Sequence, residues 1–169
     1  SYTMKELKIL FRTPVYFLNC ILINFLLPVF VVVPIFADKT VLKDIQGIND
    51  LLFNEVAAGI ALSIAFVGIL FVSTTNSISA TSISREGENA YFMKYIPMPY
   101  EKQIISKVLP GVIMGIIGMV LFLITAMVLV SITIYLLIYI LISGLLVIVF
   151  VNLLGIIIDL NYPKLIWDN

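Results

Sequence analysis

Residues 108–158 read VLPGVIMGIIGMVLFLITAMVLVSITIYLLIYILISGLLVIVFVNLLGIII and contain no charged side chain over 51 positions. A single helix of this length would measure roughly 76 Å at 1.5 Å per residue. The hydrocarbon core of a bilayer is only about 30 Å thick, so we expect the stretch to cross it twice. The polar interruption Ser131-Ile132-Thr133 lies at its midpoint. The pattern therefore predicts a helical hairpin with spans at about 108–130 and 134–158.

Two further charge-free intervals, Arg12 to Asp38 and Glu55 to Arg85, predict spans at about 15–36 and 54–75. The 169-residue chain is 62% hydrophobic and 12% charged, with a mean hydropathy of +1.15. Soluble domains carry about 25% charged residues, so lipid is the expected solvent. The predicted fold class is all-α. We expect a polytopic transmembrane helix bundle of four spanning helices, with short interfacial and cytosolic helices, in one domain over 1–169.

Positive charges predict how these spans are oriented. Three Lys or Arg residues precede the first span, four lie in the loop 76–107 and one follows the fourth span. Only Lys39 and Lys43 lie in the loop 37–53. The positive-inside rule therefore places both ends and the loop 76–107 in the cytoplasm, and the loop 37–53 outside. The expected location is the cell membrane.

Several kinds of chemistry are excluded or disfavoured by residues that the sequence lacks. It has no His and a single Cys, which excludes an internal disulfide and a His or multi-Cys metal site. It also lacks a Walker A motif and the His-Glu-x-x-His and Gly-x-Ser-x-Gly motifs of hydrolases. The absence of charge from the span cores disfavours ion-coupled transport. We therefore expect no enzymatic activity, no cofactor or metal, and, at zero net charge, no nucleic-acid partner.

The predicted spans contain polar and small residues that suit helix contacts. Interhelical hydrogen bonds in membranes are worth about 1 kcal/mol, and small residues let helices approach closely. We interpret these positions as packing positions, with a substrate site as the alternative. They are Asn19, Asn24, Ser63, Gly111, Gly115, Thr125 and Asn152.

Two short helices are predicted beside the spans. Thr3-Met4-Lys5-Glu6 matches a capping box and begins a helix whose Lys5, Lys8 and Arg12 can reach lipid phosphates, with a plain cytosolic lead-in as the alternative. In the loop 76–107, apolar residues recur at helical spacing between Gly87 and Pro97. We predict a short cytosolic helix there, with an ordinary solvated connection as the alternative. From residue 73 to residue 84, nine of twelve residues are Ser, Thr or Asn, which predicts a protein-facing extension of the second span.

Three separated elements resemble the permeases of type-two ATP-binding-cassette (ABC) exporters, most closely those of Gram-positive type. The first reads Lys5-Glu6-x-Lys8…Arg12-Thr13-Pro14-Val15-Tyr16. The second reads Ser84-Arg85-Glu86-Gly87, followed by Lys94, Ile96-Pro97, Ile104-Ile105 and Lys107. The third reads Asp159-Leu160-x-x-Pro163-Lys164-Leu165-x-Trp167.

The resemblance implies that 85–97 is a coupling helix that docks on a separate cytosolic ATPase and that 3–12 is an interfacial connecting helix. It also implies a second permease half or subunit, and an internal fragment of a longer chain, since such permeases carry six spans per half. ATP binding would then tilt the second and third spans. The implied coupling residues are Arg85, Glu86, Gly87, Glu88, Tyr91, Met93, Lys94, Ile96 and Pro97. The alternatives are an ion-coupled secondary transporter or channel, or a non-transporting membrane scaffold or sensor.

Overall fold

A computed structural model of the chain describes residues 2–22, 55–75, 77–129 and 132–164, together with residues 25, 26, 29, 30, 33 and 37. These residues form helices and no strand, as the predicted all-α class requires. The α-helices are α1 (Tyr2–Arg12), α2 (Pro14–Tyr16), α3 (Glu55–Thr75), α4 (Tyr100–Leu129) and α5 (Ile134–Asn161). A π-helical stretch, Phe17–Leu22, follows α2, and 3₁₀ segments occupy Ser79–Thr81 and Ser84–Lys94.

Three helices in the described part of the chain are long and apolar enough to cross a membrane. They are α3, α4 and α5, and they occupy the places of the second, third and fourth predicted spans. Many of their large apolar side chains are exposed, among them Val67, Phe71, Leu146 and Phe150. Such a surface is costly in water and suits a lipid environment. Of the predicted first span, most of 23–36 lies outside the described residues, as do Asn24 and all but the first residue of the loop 37–53.

Helix α5 is the centre of the packing. Helices α3 and α4 each pack against α5 more extensively than against each other. Gly144 of α5 lies against Met119 of α4 and Ile69 of α3, and Gly115 of α4 lies against Ile148 of α5. The core between the three helices is apolar and consists of Ile69, Met119, Leu123, Ile140, Val147 and Ile148.

Helix α1 packs along the first half of α4. Leu10 is fully buried in a cluster with Ile21, Ile78 and Met114, whereas the basic side chains of α1 face outward. The structure differs from the predicted capping box, because α1 begins at Tyr2 and Thr3 therefore lies within its first turn. The Glu6 side chain is 3% exposed and forms a tertiary ion pair, described below.

The structure also differs from the predicted helix between Gly87 and Pro97. A 3₁₀ segment begins at Ser84, is broken at Gly87 and ends at Lys94. Gly87 has φ 54° and ψ −132°, a conformation that glycine adopts far more easily than other residues. The segment ends before Pro97 because the residue preceding a proline avoids the helical region. Helix α4 then begins at Tyr100, so the polar turn at 100–103 is continuous with the third predicted span.

Candidate functional site

Residues 77–94, which we call the inserted segment, enter the bundle at the end where α4 begins and α5 ends. The 3₁₀ segment Ser79–Thr81 packs against α5 and α4. Ser79, Ser82 and Ser84 are all buried there, although each carries a hydroxyl group. Buried polar groups are costly without hydrogen-bond partners, so these hydroxyl groups are expected to be bonded to neighbouring elements. The partners of this segment make up the candidate site.

The first contact joins Ser79 to α5. The Ser79 hydroxyl donates to Asn152 Oδ1 at 2.6 Å, and Asn152 Nδ2 donates to the carbonyl of Ile148 at 2.8 Å. Gly111 of α4 faces this pair, and a Cβ at Gly111 would collide with Asn152 Oδ1 and Ser79 Oγ. The absence of a side chain at Gly111 therefore lets α4, α5 and the inserted segment meet at one point.

Gly111→Ala is expected to lower the free energy of unfolding by about 1–3 kcal/mol, the usual effect of overpacking. Gly68→Ala is the matched control, since nothing lies within 4 Å of a Cβ at Gly68. It should be neutral or slightly stabilising, because Ala favours a helix over Gly by about 1 kcal/mol. Unfolding by sodium dodecyl sulfate in mixed micelles, followed by circular dichroism, measures both. Equal stability of the two variants would contradict this close approach.

The second contact joins the start of the longer 3₁₀ segment to Asp159, near the end of α5. One carboxylate oxygen, Oδ2, accepts from the backbone amides of Ile83 at 2.6 Å and Ser84 at 3.2 Å, and Oδ1 accepts from the Ser84 hydroxyl. The Lys164 amide in turn donates to Ser84 Oγ at 2.9 Å. First-turn amides of a helical segment lack partners within it, and a carboxylate there supplies both acceptors and a favourable charge.

Asn152 and Asp159 act from one face of α5. They are seven residues apart, which is close to two helical turns, and both are buried. Between them Ile156 packs with Ile83 and Val108 in a small apolar cluster. The inserted segment is therefore attached to α5 at two levels.

The third contact is a buried cluster of charged groups around Lys107 of α4. Lys107 is 0% exposed, and its Nζ donates to Glu86 Oε1 at 2.7 Å, Glu6 Oε1 at 3.2 Å and the Ser82 carbonyl at 3.4 Å. An ammonium group has three protons to donate, and here each has an acceptor. One side chain of α4 thus joins α1 through Glu6 and the inserted segment through Glu86 and Ser82.

Tyr2 covers this cluster. Its hydroxyl donates to Glu86 Oε1 at 3.5 Å, and its ring centroid lies 5.9 Å from Lys107 Nζ and 4.9 Å from Lys5 Nζ. Burial, followed by the charges of Glu86 and Glu6, raises the pKa of Tyr2 to about 12. The phenol is therefore neutral at physiological pH and adds no negative charge beside the two carboxylates.

Gln103 of α4 holds the far end of the inserted segment. Its Nε2 donates to the carbonyls of Met98 at 2.8 Å and Met93 at 3.2 Å. The Met93 side chain packs against the apolar cluster that contains Ile83. The inserted segment is thus attached along its whole length, from Ser79 to Met93.

The residues implied as coupling residues divide into inward and outward groups. Glu86 is paired with Lys107, and Arg85 lies 5.4 Å from the Tyr16 ring centroid and donates to Thr81 Oγ1 at 3.2 Å. Gly87, Met93 and Ile96 are half-buried, Tyr91 is 63% exposed, and Lys94 and Pro97 are exposed. The Glu88 side chain is outside the part of the chain that the structure describes.

Among the predicted polar span positions that the structure describes, Asn152 is the one that bonds to another element. Thr125 and Ser63 donate to carbonyls of their own helices, at 2.9 Å each. Asn19 and Ser63 are exposed. Gly111 and Gly115 lie at helix contacts, as described above.

Lys107 and Asp159 flank the charge-free stretch 108–158 and belong to the second and third elements of the family resemblance, but neither was predicted to form a buried contact. Two signals point to their roles. Asp159 shares a helical face with Asn152, and Lys107 shares one with Gln103 and Gly111. A charged residue on the same helical face as packing residues is expected to be buried with them. Such a residue needs a buried hydrogen-bond or charge partner rather than solvent. No such signal exists for Ser79, one of many hydroxyl residues in its stretch.

Within the described residues no group of His, Cys, Asp and Glu side chains is arranged to hold a metal ion. No protein-family model matches the chain, and no curated protein or solved structure matches it significantly.

Proposed function

We propose that the chain is part of the membrane subunit of an ATP-driven exporter, in which the inserted segment receives motion from a separate cytosolic ATPase. One observation carries this proposal: a polar segment between two apolar helices is attached by buried side chains to α1, α4 and α5, while part of its surface stays exposed. A simple solvated connection needs no such attachments.

The attachments define which helices would move. A displacement of the inserted segment is transmitted to α4 and α1 through Lys107, and to α5 through Asn152 and Asp159. The resemblance implies tilting of the second and third spans. The contacts favour a wider movement that includes α5, because Asn152 and Asp159 of α5 are both buried and both bond to the inserted segment. Rigid-body movement of packed helices is a common way to switch a protein between two states.

The exposed surface of the inserted segment and the turn after it supplies the proposed ATPase contact. Tyr91 and Tyr95 are 63% and 81% exposed, and Lys94 Nζ lies 5.7 Å from the centroid of the Tyr91 ring. Tyrosines are enriched among the residues that dominate binding energy at protein interfaces. Glu86 and Arg85 instead maintain the shape of the segment from within.

The proposal includes the predicted topology. Four spans in the cell membrane, both ends of the chain in the cytoplasm and a second permease half are supported by the Lys and Arg distribution and by the family resemblance.

An ion-coupled secondary transporter is less well supported by the structure. Such proteins place ionisable side chains near the middle of their spans. In α4 and α5 the buried ionisable groups, Lys107 and Asp159, lie at one end of the bundle, where they bind the inserted segment.

Tyr91→Ala combined with Tyr95→Ala is expected to weaken binding of the ATPase about 30-fold, since loss of an interface aromatic costs about 2 kcal/mol or more. Co-purification of the tagged chain with its co-expressed ATPase measures this. Tyr100→Ala is the control, because Tyr100 is equally an exposed tyrosine but lies in the first turn of α4. If the double variant retains the ATPase as well as the control does, or if no ATPase binds the unsubstituted chain, the proposal fails.

A further inference from the structure

A cleft of about 360 Å³ lies between α1 and the inserted segment. Its walls combine two cationic side chains, Lys5 and Arg85, with apolar side chains and the Asn89 amide. The apolar lining residues are Ile9, Met93 and Ile96. A ligand for this cleft should therefore carry an anionic group next to an apolar one.

The cleft lies at the level where the bundle changes from apolar to charged. Glu86 lines the cleft and accepts a hydrogen bond from Lys107, which immediately precedes the charge-free residues 108–158. Tyr91, Tyr95 and Tyr100 are exposed at the same end. Tyrosines concentrate at the headgroup level of membranes, where one end of the side chain is apolar and the other is wet.

The cationic side chains that line the cleft favour an anionic ligand. Lys5 and Arg85 both line the cleft, and the carboxylate of Glu86 lines it as well. Lys107 is occupied by the two carboxylates. Among the described residues no carboxylate forms an ion pair with Lys5, whose ammonium lies over the Tyr2 ring.

We propose that this cleft binds the phosphodiester headgroup of an anionic phospholipid. The phosphate lies between Lys5 and Arg85, Asn89 donates to the headgroup, and the start of an acyl chain contacts Ile9 and Met93. Basic pockets between helices at the cytoplasmic surface are established lipid sites in other membrane proteins. The lipid would join α1 to the inserted segment from the open side, opposite Lys107. This site requires the bundle to lie in a membrane but does not require an ATPase partner.

Native mass spectrometry of the purified chain, titrated with phosphatidylglycerol or phosphatidylcholine, tests the proposal. We expect one saturable phosphatidylglycerol molecule, bound several-fold more tightly than phosphatidylcholine. Lys5→Gln should weaken phosphatidylglycerol binding about fivefold, since each basic residue near an anionic lipid contributes about 1 kcal/mol. Lys8→Gln is the matched control, because Lys8 is also exposed on α1 but does not line the cleft.

A second pair of variants separates charge from folding. Arg85→Gln should lose phosphatidylglycerol selectivity, whereas Arg85→Lys should keep it. Equal effects of Lys5→Gln and Lys8→Gln, or equal binding of the two lipids, would overturn the proposal. So would loss of a bound ATPase in Lys5→Gln with unchanged lipid binding, because the cleft would then receive an acidic protein segment. Lipid binding is measured on the purified chain without an ATPase. Its outcome therefore does not depend on whether the Tyr91 and Tyr95 variants lose the ATPase.

Discussion

Lys107→Met is expected to lower the free energy of unfolding by about 3–5 kcal/mol, the usual cost of breaking a buried ion pair from one side. The ammonium group neutralises Glu6 and Glu86 together, and Glu6 is almost as deeply buried as Lys107 itself. Without Lys107 the carboxylates of Glu6 and Glu86 stay in the same environment but no longer have a cation that neutralises them. Met has a similar length and apolar stem, so the change isolates the charge.

Unfolding by sodium dodecyl sulfate in mixed micelles, followed by circular dichroism, measures the loss. Lys102→Met is the matched control, since Lys102 is exposed in the first turns of the same helix and should tolerate the change within about 0.5 kcal/mol. Adding Glu6→Gln and Glu86→Gln to Lys107→Met should restore much of the stability, because no unpaired charge then remains. If Lys107→Met is as stable as Lys102→Met, the buried cluster does not hold α1 and α4 together.

Asp159→Ala is expected to cost about 3 kcal/mol, because it removes the acceptor of several buried donors at once, each worth about 1–3 kcal/mol when left unsatisfied. The amides of Ile83 and Ser84 and the Ser84 hydroxyl all depend on this carboxylate. The methyl group of Ala cannot replace any of these bonds, and the site at the helix end is too enclosed to admit solvent freely.

The effect should also be local. Hydrogen exchange of the amides of Ile83 and Ser84 should rise in Asp159→Ala more than in the core of α5. Asp159→Asn keeps one acceptor oxygen and should lose less stability. Asn161→Ala provides the control, since Asn161 is exposed and, among the described residues, its side chain bonds to the Ile157 carbonyl of its own helix. Unchanged exchange at Ile83 and Ser84 would show that Asp159 does not hold the segment.

The long helices could be predicted because their cause is visible in the sequence. A charge-free stretch of 51 residues exceeds the bilayer twice over, and α5 begins at Ile134, directly after the polar Ser131-Ile132-Thr133. The small and polar positions Gly111, Gly115 and Asn152 indicated packing faces, and the structure places all three at helix contacts. Which helix lies at the centre could not be predicted, because each of the three helices is apolar on nearly all sides. That α5 is the central helix follows only from the packing at Gly144 and Gly115.

The site was less accessible to sequence reasoning because its partners are distant in the chain. Lys107 binds Glu6, 101 residues away, and Asp159 binds backbone amides about 75 residues away. Almost every residue has a backbone amide, so the sequence does not show which amides a carboxylate such as Asp159 binds. For Glu86 the sequence did offer a signal, since the resemblance implied a contact with an ATPase. In the structure the Glu86 carboxylate instead forms an ion pair with Lys107.

The proposed coupling role requires the inserted segment to face the cytoplasm, where an ATPase can reach it. A variant with Cys20→Ser and Asn89→Cys carries a single thiol at an exposed position of that segment. A membrane-impermeant maleimide should label this thiol in inside-out membrane vesicles and leave it unlabelled in intact cells. Labelling from outside intact cells would contradict both the topology and the proposed coupling role.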